Sequence, residues 1–83
     1  MDLITSAQNP RVKRLLRLQQ KAADRRAEGL TLVEGLRELA VAAAAGVEVA
    51  ELYHCPALPN AAPPAALAAL HVPPARTWEL APA

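Results

Sequence analysis

A dense group of basic side chains near the start of the chain is the feature best suited to binding chemistry. Seven of the nine Lys and Arg residues lie between Arg11 and Arg26, and Asp24 is the only acid in that interval. The 83-residue chain has a formal net charge of only +1 at pH 7, so its positive charge is concentrated in one segment. Such a segment attracts a polyanionic partner, and RNA is the favoured one. By composition alone, a solvated helix surface explains the pattern equally well.

A second candidate is the sequence Glu34-Gly35-Leu36-Arg37, which follows an apolar run and precedes a helical pattern. Backbone N–H groups are exposed where a helix begins, and they favour a phosphate there. The alternative is that Gly35 is a turn glycine and that Glu34 pairs with Arg37 or Arg26 to fix the junction. We favour the structural role for Glu34, whereas RNA contact and a structural role are equally supported for Arg37.

His54 and Cys55 are adjacent and carry side chains used in metal binding and nucleophilic catalysis. A zinc site requires three or four ligands, and the only other histidine, His71, stands alone in a Pro/Ala-rich region. A nucleophilic cysteine requires a base and an orienting partner, and the sequence indicates neither. We therefore predict no catalytic, metal-binding or cofactor-binding residue in this chain.

The element that positions the basic residues is a helix predicted from Pro10 to Ala27. Asn9 is a good N-cap, Pro10 suits the first helical position, and Gly29 favours the left-handed conformation that ends a helix. At about 100° per residue, apolar and basic positions separate onto opposite sides. The predicted core side contains Val12, Leu15, Leu16, Ala22 and Ala23, and the predicted charged side contains Lys13, Arg14, Arg17 and Lys21.

Strands and helices are predicted to alternate after Gly29. Apolar runs at 30–33 and 47–54 suit buried strands, and the alanine-rich segment 36–45 suits a helix closed by Gly46. Residues 63–70 form a short helix beginning with prolines, and 76–80 form a last strand with Trp78 as a core anchor. This alternation predicts an α/β fold with a mainly parallel sheet covered by helices on both faces.

Length and composition exclude several classes of protein. The chain is long enough for one small domain, and its single cysteine, Cys55, excludes an intramolecular disulfide. No apolar run approaches the roughly 18–20 residues of a membrane span, and no signal peptide is recognisable. We expect a soluble, cytoplasmic protein without a membrane partner. Because three strands are few for a sheet and the last ends close to Ala83, we expect a segment of a longer protein.

The order and spacing of the motifs resemble the N-terminal substrate-binding domain of the SpoU/TrmH-type RNA 2′-O-ribose methyltransferases of the SPOUT superfamily. The resemblance covers the first half of the chain closely and rests on Ser6, Asn9-Pro10, Lys13, Lys21, Arg25 and the run from Gly29 to Arg37. Thr31 departs from the family, where Phe is common at this position. After Pro56 the resemblance is one of layout and not of residues.

The resemblance implies that residues 1–83 form one RNA substrate-binding domain with an L30e/L7Ae-like three-layer α/β/α sandwich, truncated at its C-terminal end. It also strengthens the case for structured RNA, from rRNA or tRNA, as the partner. Glu34 and Gly35 are the predicted structural motif. The predicted RNA-binding residues are Asn9, Lys13, Arg14, Arg17, Lys21, Arg25, Arg26 and Arg37.

In that family a second domain, with a deep trefoil knot, binds S-adenosylmethionine, transfers the methyl group and forms a homodimer. Nothing in this chain resembles that domain. The resemblance therefore implies that the full-length protein is an enzyme and that this segment alone is not. Two alternatives stay open: a stand-alone, non-enzymatic RNA-binding protein of the L7Ae type, and a protein-interaction domain whose alanine-rich helix packs against a partner.

Overall fold

A computed structural model describes residues 2–81. Three short strands and four helices follow one another in the order β1 (Asp2–Ile4), α1 (Pro10–Gln20), α2 (Ala22–Glu28), α3 (Leu36–Ala44), β2 (Leu52–His54), α4 (Pro64–Ala68) and β3 (Thr77–Leu80). A single 3₁₀ turn, Pro74–Arg76, leads into β3. Helices α3 and α4 and strand β3 lie where the sequence predicts them.

The strands form one parallel sheet with the order β1-β3-β2. Strand β3 is central, so Trp78 lies opposite Tyr53 of β2, and the N–H of Ala81 continues the pairing by donating to the Ile4 carbonyl at 2.9 Å. Parallel strands require long crossover connections, and the helices between the strands provide them. The predicted α/β class and parallel sheet are confirmed.

The core lies between the sheet and α1. Ile4, Leu52 and Trp78 are buried on the three strands, and Leu18 is the buried residue of α1, with 3% of its surface exposed. The rings of Tyr53 and Trp78 stack with centroids 5.2 Å apart and an angle of 19° between their planes. Offset stacking adds to the energy of area burial. Trp78 is therefore a core anchor, as predicted.

The predicted single helix from Pro10 to Ala27 is wrong, because the chain leaves the helical conformation at Lys21 (φ −122°, ψ 109°). The guanidinium of Arg25 donates from Nη1 to the carbonyl oxygens of Leu18 (2.7 Å) and Gln19 (3.1 Å). In a continuous helix these two carbonyls would accept from the N–H groups four residues later. The Arg25 side chain replaces those bonds and stabilises the break.

Both ends of this helical pair follow the predicted signals. The Asn9 side chain accepts a hydrogen bond from the N–H of Arg11 at 2.9 Å, and Gly29 ends α2 with φ 69°.

The predicted core side of α1 is only partly correct. Leu16 is 48% exposed, and Leu18 takes the buried position.

The strand predictions were the least accurate. The apolar segment 30–33 forms no strand and runs irregularly from α2 to α3, and β2 begins at Leu52, not at residue 47. Strand β1, which was not predicted, pairs with β3 instead. An apolar run favours burial but does not choose its pairing partner, which here lies more than seventy residues away in the chain.

Candidate nucleic-acid interface

One side of α1 is held against the rest of the domain by Arg14. Its guanidinium donates to both carboxylate oxygens of Glu51 (2.8 and 3.1 Å) and, through Nε and Nη2, to Glu28 (2.9 and 2.7 Å). The hydrogen bond with Glu28, together with the charge and hydrogen bonds of Glu51, raises the pKa of Arg14 although burial opposes this. Arg14 thereby connects α1 to the end of α2 and to the residue before β2.

Arg11 lies on the same side of α1, one turn earlier. Its guanidinium carbon is 3.9 Å from the centroid of the Trp78 ring, a cation–π arrangement, and Nη1 is 3.9 Å from the Glu51 carboxylate. The Tyr53 hydroxyl donates to the same carboxylate at 2.8 Å. Burial raises the pKa of Tyr53, and Arg11 partly counteracts this effect. We call Arg11, Arg14 and Leu18 the inner face of α1.

The neighbouring side of α1 carries basic residues with a different environment. We call Lys13, Arg17 and Lys21 the outer face; all three are exposed, and within residues 2–81 none has an acidic partner at ion-pair distance. Lys13 and Arg17 are four residues apart on α1, which corresponds to about 6 Å of helix rise, and Lys21 is the residue that caps the end of the helix. Arg26 on α2 and Arg37 on α3 are also exposed. The outer face is thus a row of positive charge that the described part of the domain does not neutralise.

The remaining predicted RNA-binding residues have structural contacts. Asn9 caps α1, Arg14 is bonded to two glutamates, and Arg25 is bonded to the carbonyls at the end of α1. RNA contact by Arg14 would require these charged hydrogen bonds to be broken or shared. Its RNA contact, like that of Asn9 and Arg25, stays a prediction.

The junction before α3 is formed by a turn at Gly35 and by a contact between Glu34 and α1. Gly35 has φ 93°, which favours glycine, and an added Cβ would collide with the Glu38 carboxylate. Glu34 pairs neither with Arg37 nor with Arg26; it accepts a hydrogen bond from Nε2 of Gln19 at 3.2 Å. Because Glu38 brings negative charge to the start of α3, this helix start is less favourable for a phosphate than the sequence suggests.

Sequence reasoning missed Glu51, which binds Arg14, and Gln19, which binds Glu34. Neither residue stands in a recognisable motif, and Glu51 is 37 positions from the arginine that it binds.

Among the described residues, no group of three His, Cys, Asp or Glu side chains could hold a metal ion. In the same part of the chain, no helix is long and apolar enough to cross a membrane.

Comparison with known proteins adds a family assignment. The family model described as the MRM3-like substrate binding domain matches residues 9–79. No curated protein and no solved structure gave a match. The matched residues extend from the N-cap of α1 to β3 and include both faces of α1. The chain therefore belongs to the family of MRM3-like substrate-binding domains.

Proposed function

We propose that this chain is the RNA-binding part of an RNA methyltransferase, and more specifically of a SpoU/TrmH-type enzyme that methylates ribose 2′-hydroxyl groups of rRNA or tRNA. The observation that carries the proposal is the outer face of α1, where Lys13, Arg17 and Lys21 are exposed without acidic partners among residues 2–81. Membership of a family of substrate-binding domains supports a substrate as the partner.

The outer face suits the phosphate backbone of structured RNA. Each Lys or Arg that neutralises a phosphate releases condensed counterions, and this release drives binding without reading sequence. The distance between Lys13 and Arg17 is set by helix geometry, and the inner face holds the helix to the sheet. The outer face can therefore meet RNA with little reorganisation of the domain.

In this proposal the chain performs no chemistry itself. A separate catalytic domain binds S-adenosylmethionine, transfers the methyl group and forms the homodimer, and the full-length protein acts in the cytoplasm. We expect no heat of binding when S-adenosylmethionine is titrated into the 83-residue chain. Stoichiometric binding at micromolar concentration would contradict the assignment of this chain to the substrate-binding part.

The direct test compares two double variants with the same net charge. Lys13→Gln with Arg17→Gln removes two positive charges from the outer face, and Val41→Glu with Leu58→Glu adds two negative charges at side chains that are 65% and 51% exposed. Either change lowers the formal net charge from +1 to −1. Fluorescence anisotropy with labelled tRNA or a structured rRNA fragment measures the affinity.

We expect the outer-face variant to bind at least about tenfold more weakly than the wild-type domain. The control variant should bind no more than about threefold more weakly. Circular dichroism melting should give unchanged midpoints for both. Equal losses in the two variants would mean that only net charge matters. No loss in a folded outer-face variant would exclude this surface as the RNA site.

A further inference from the structure

A cavity of about 670 Å³ lies between α3 and α4, and the segments that follow each of these helices complete it. Its volume is within the roughly 300–1,000 Å³ of small-ligand pockets. Within residues 2–81, its walls contain no residue of α1 or α2. The cavity is therefore separate from the outer face, and a ligand bound in it need not be RNA.

The apolar wall of the cavity consists only of Ala, Val and Leu side chains. Alanines on both helices leave the space between them open, and neither helix has a fully buried residue. Because this wall contains no Phe, Tyr or Trp for stacking, it favours a flexible aliphatic chain over a planar ligand. From α3 it includes Leu36, Ala40, Ala43 and Ala44, and from the α4 region Ala66, Ala69 and Leu70.

Arg76 gives the cavity a polar end. Its Nη1 lies 3.5 Å from Oε1 of Glu48, a long contact to a side chain that is 82% exposed. Among the described residues, Nε of Arg76 is the one buried side-chain nitrogen or oxygen without a hydrogen-bond partner. A donor in this state is costly, and a carboxylate is the acceptor that best fits a guanidinium. Since the Arg76 side chain as a whole is 43% exposed, a ligand in the cavity can reach it.

The backbone is strained at the same cavity. His71, one of its lining residues, has φ 54°, and within residues 2–81 it is the only residue other than glycine with a positive φ. Conformations of this kind cost energy and cluster at ligand sites. The strained residue and the unpartnered donor thus line one cavity.

The extent of the cavity along α3 indicates the length of its ligand. Leu36 and Ala44 are eight residues apart on the helix, which corresponds to about 12 Å of rise, the length of an extended chain of about ten carbon atoms. Glu48 comes four residues after Ala44, so its pair with Arg76 marks the end of the cavity beside the last turn of α3.

We propose that this cavity binds a straight-chain fatty acid of about ten carbons, with the tail between α3 and α4 and the carboxylate on Arg76. Glu48 gives way to the ligand, because its contact with Arg76 is long and exposed. A peptide with an aliphatic C-terminal residue shares the carboxylate, but it would bring amide groups against side chains that cannot bond them. The inference goes beyond the proposed function and does not depend on RNA binding.

Isothermal titration of the 83-residue chain with hexanoate, octanoate, decanoate and dodecanoate tests the proposal. Each CH₂ that enters the cavity should tighten binding by about two- to fourfold as far as decanoate. Dodecanoate should gain little more, because its last carbons extend beyond α3. 1-Decanol should bind at least about tenfold more weakly than decanoate, because it lacks the charge that pairs with Arg76.

Variants at the polar end test the contact with the carboxylate. Arg76→Gln should abolish the preference for decanoate over 1-decanol. Glu48→Gln should keep that preference and tighten decanoate binding by about twofold, because it removes the carboxylate that competes for Arg76. Circular dichroism should show that both variants are folded.

A variant in the wall tests the place of the tail. Ala43→Leu fills the cavity and should weaken decanoate and 1-decanol by at least about tenfold each. Ala27→Leu is the matched control, because it makes the same change at an exposed position of α2 and should alter neither affinity.

Three results would overturn the proposal: no saturable binding of decanoate to the wild-type domain, equal binding of decanoate and 1-decanol, or undiminished binding to Ala43→Leu. Tighter binding of the peptide acetyl-alanyl-valyl-leucine than of decanoate would also overturn it and would identify a protein C-terminus as the ligand. Each of these results leaves the RNA-binding test of the outer face unaffected.

Discussion

The inner and outer faces of α1 use the same residue types for different purposes. On the inner face, Arg14 makes four hydrogen bonds to two glutamates and Arg11 covers the Trp78 ring. On the outer face, Lys13 and Arg17 are exposed and lack acidic partners in the described part of the chain. The two faces differ because Glu28 and Glu51 lie beside the inner face and pair with its arginines, and neither approaches Lys13 or Arg17.

This comparison separates fold stability from RNA affinity. Removal of Arg14 leaves Glu28 without its donor and weakens the partners of Glu51, so it should destabilise the domain. Removal of an outer-face cation leaves no group unpaired, so it should weaken only the binding of a polyanion.

The largest effect on stability is expected for Arg14→Ala. Its loss leaves Glu28 without its charged donor and half-buried Glu51 with only the Tyr53 hydroxyl and, at 3.9 Å, Arg11. Hydrogen bonds to charged groups contribute about 1.5–3 kcal/mol. We expect a free energy of unfolding lower by about 2 kcal/mol and a melting temperature lower by roughly 10 °C. Arg17→Ala is the matched control and should change stability by less than about 0.5 kcal/mol. Equal destabilisation by the two variants would contradict the division between the faces.

A somewhat smaller effect is expected for Gly35→Val at the junction before α3. A β-branched residue at φ 93° is strained, whereas the exposed Glu38 carboxylate beside an added Cβ can move aside. We expect a loss of at least about 1 kcal/mol in urea unfolding. Gly46→Val provides a comparison, since Gly46 has φ 87° but open space around an added Cβ. An unchanged unfolding midpoint for Gly35→Val would show that an ordinary residue fits.

The smallest effect on stability is expected for Tyr53→Phe, which removes one hydrogen bond to Glu51 and keeps the ring stacking. The loss at neutral pH should be below about 1 kcal/mol. Because burial raises the pKa of Tyr53 above its usual value of about 10, its contribution is present below that pH and is lost as the pH rises through the raised pKa. The wild-type domain should therefore lose more stability than Tyr53→Phe above pH 10, as measured by urea unfolding. If Tyr53→Phe lost more stability above pH 10 than the wild-type domain, ionisation of Tyr53 would not be the cause of the alkaline loss.

Local signals in the sequence were sufficient for the helix ends. Each of these signals acts locally: Asn9 caps α1 through its side chain, Gly29 and Gly35 adopt positive φ, and prolines begin α1 and α4. The break at Lys21 could not be predicted in this way. Lysine favours helix, and the break depends on a side chain four residues later.

The strands and the contacts of Arg14 were harder to predict, because they depend on residues that are distant in the sequence. The segment 30–33 is the more apolar of the two, but only the short strand β1, Asp2–Ile4, pairs with β3. The exposure of Lys13, Arg17 and Lys21 follows from helical spacing and agrees with the structure. The engagement of Arg14 could not be foreseen, because it depends on Glu51, which the fold brings from a distant part of the chain.

The salt dependence of RNA binding tests the central claim most directly. For the wild-type domain and for Lys13→Gln with Arg17→Gln, the logarithm of the association constant is plotted against the logarithm of the salt concentration. If both side chains contact phosphates, their removal should reduce the magnitude of the slope by about two. The slope of Val41→Glu with Leu58→Glu should stay close to that of the wild-type domain. An unchanged slope in the outer-face variant would contradict the assignment of RNA binding to the outer face of α1.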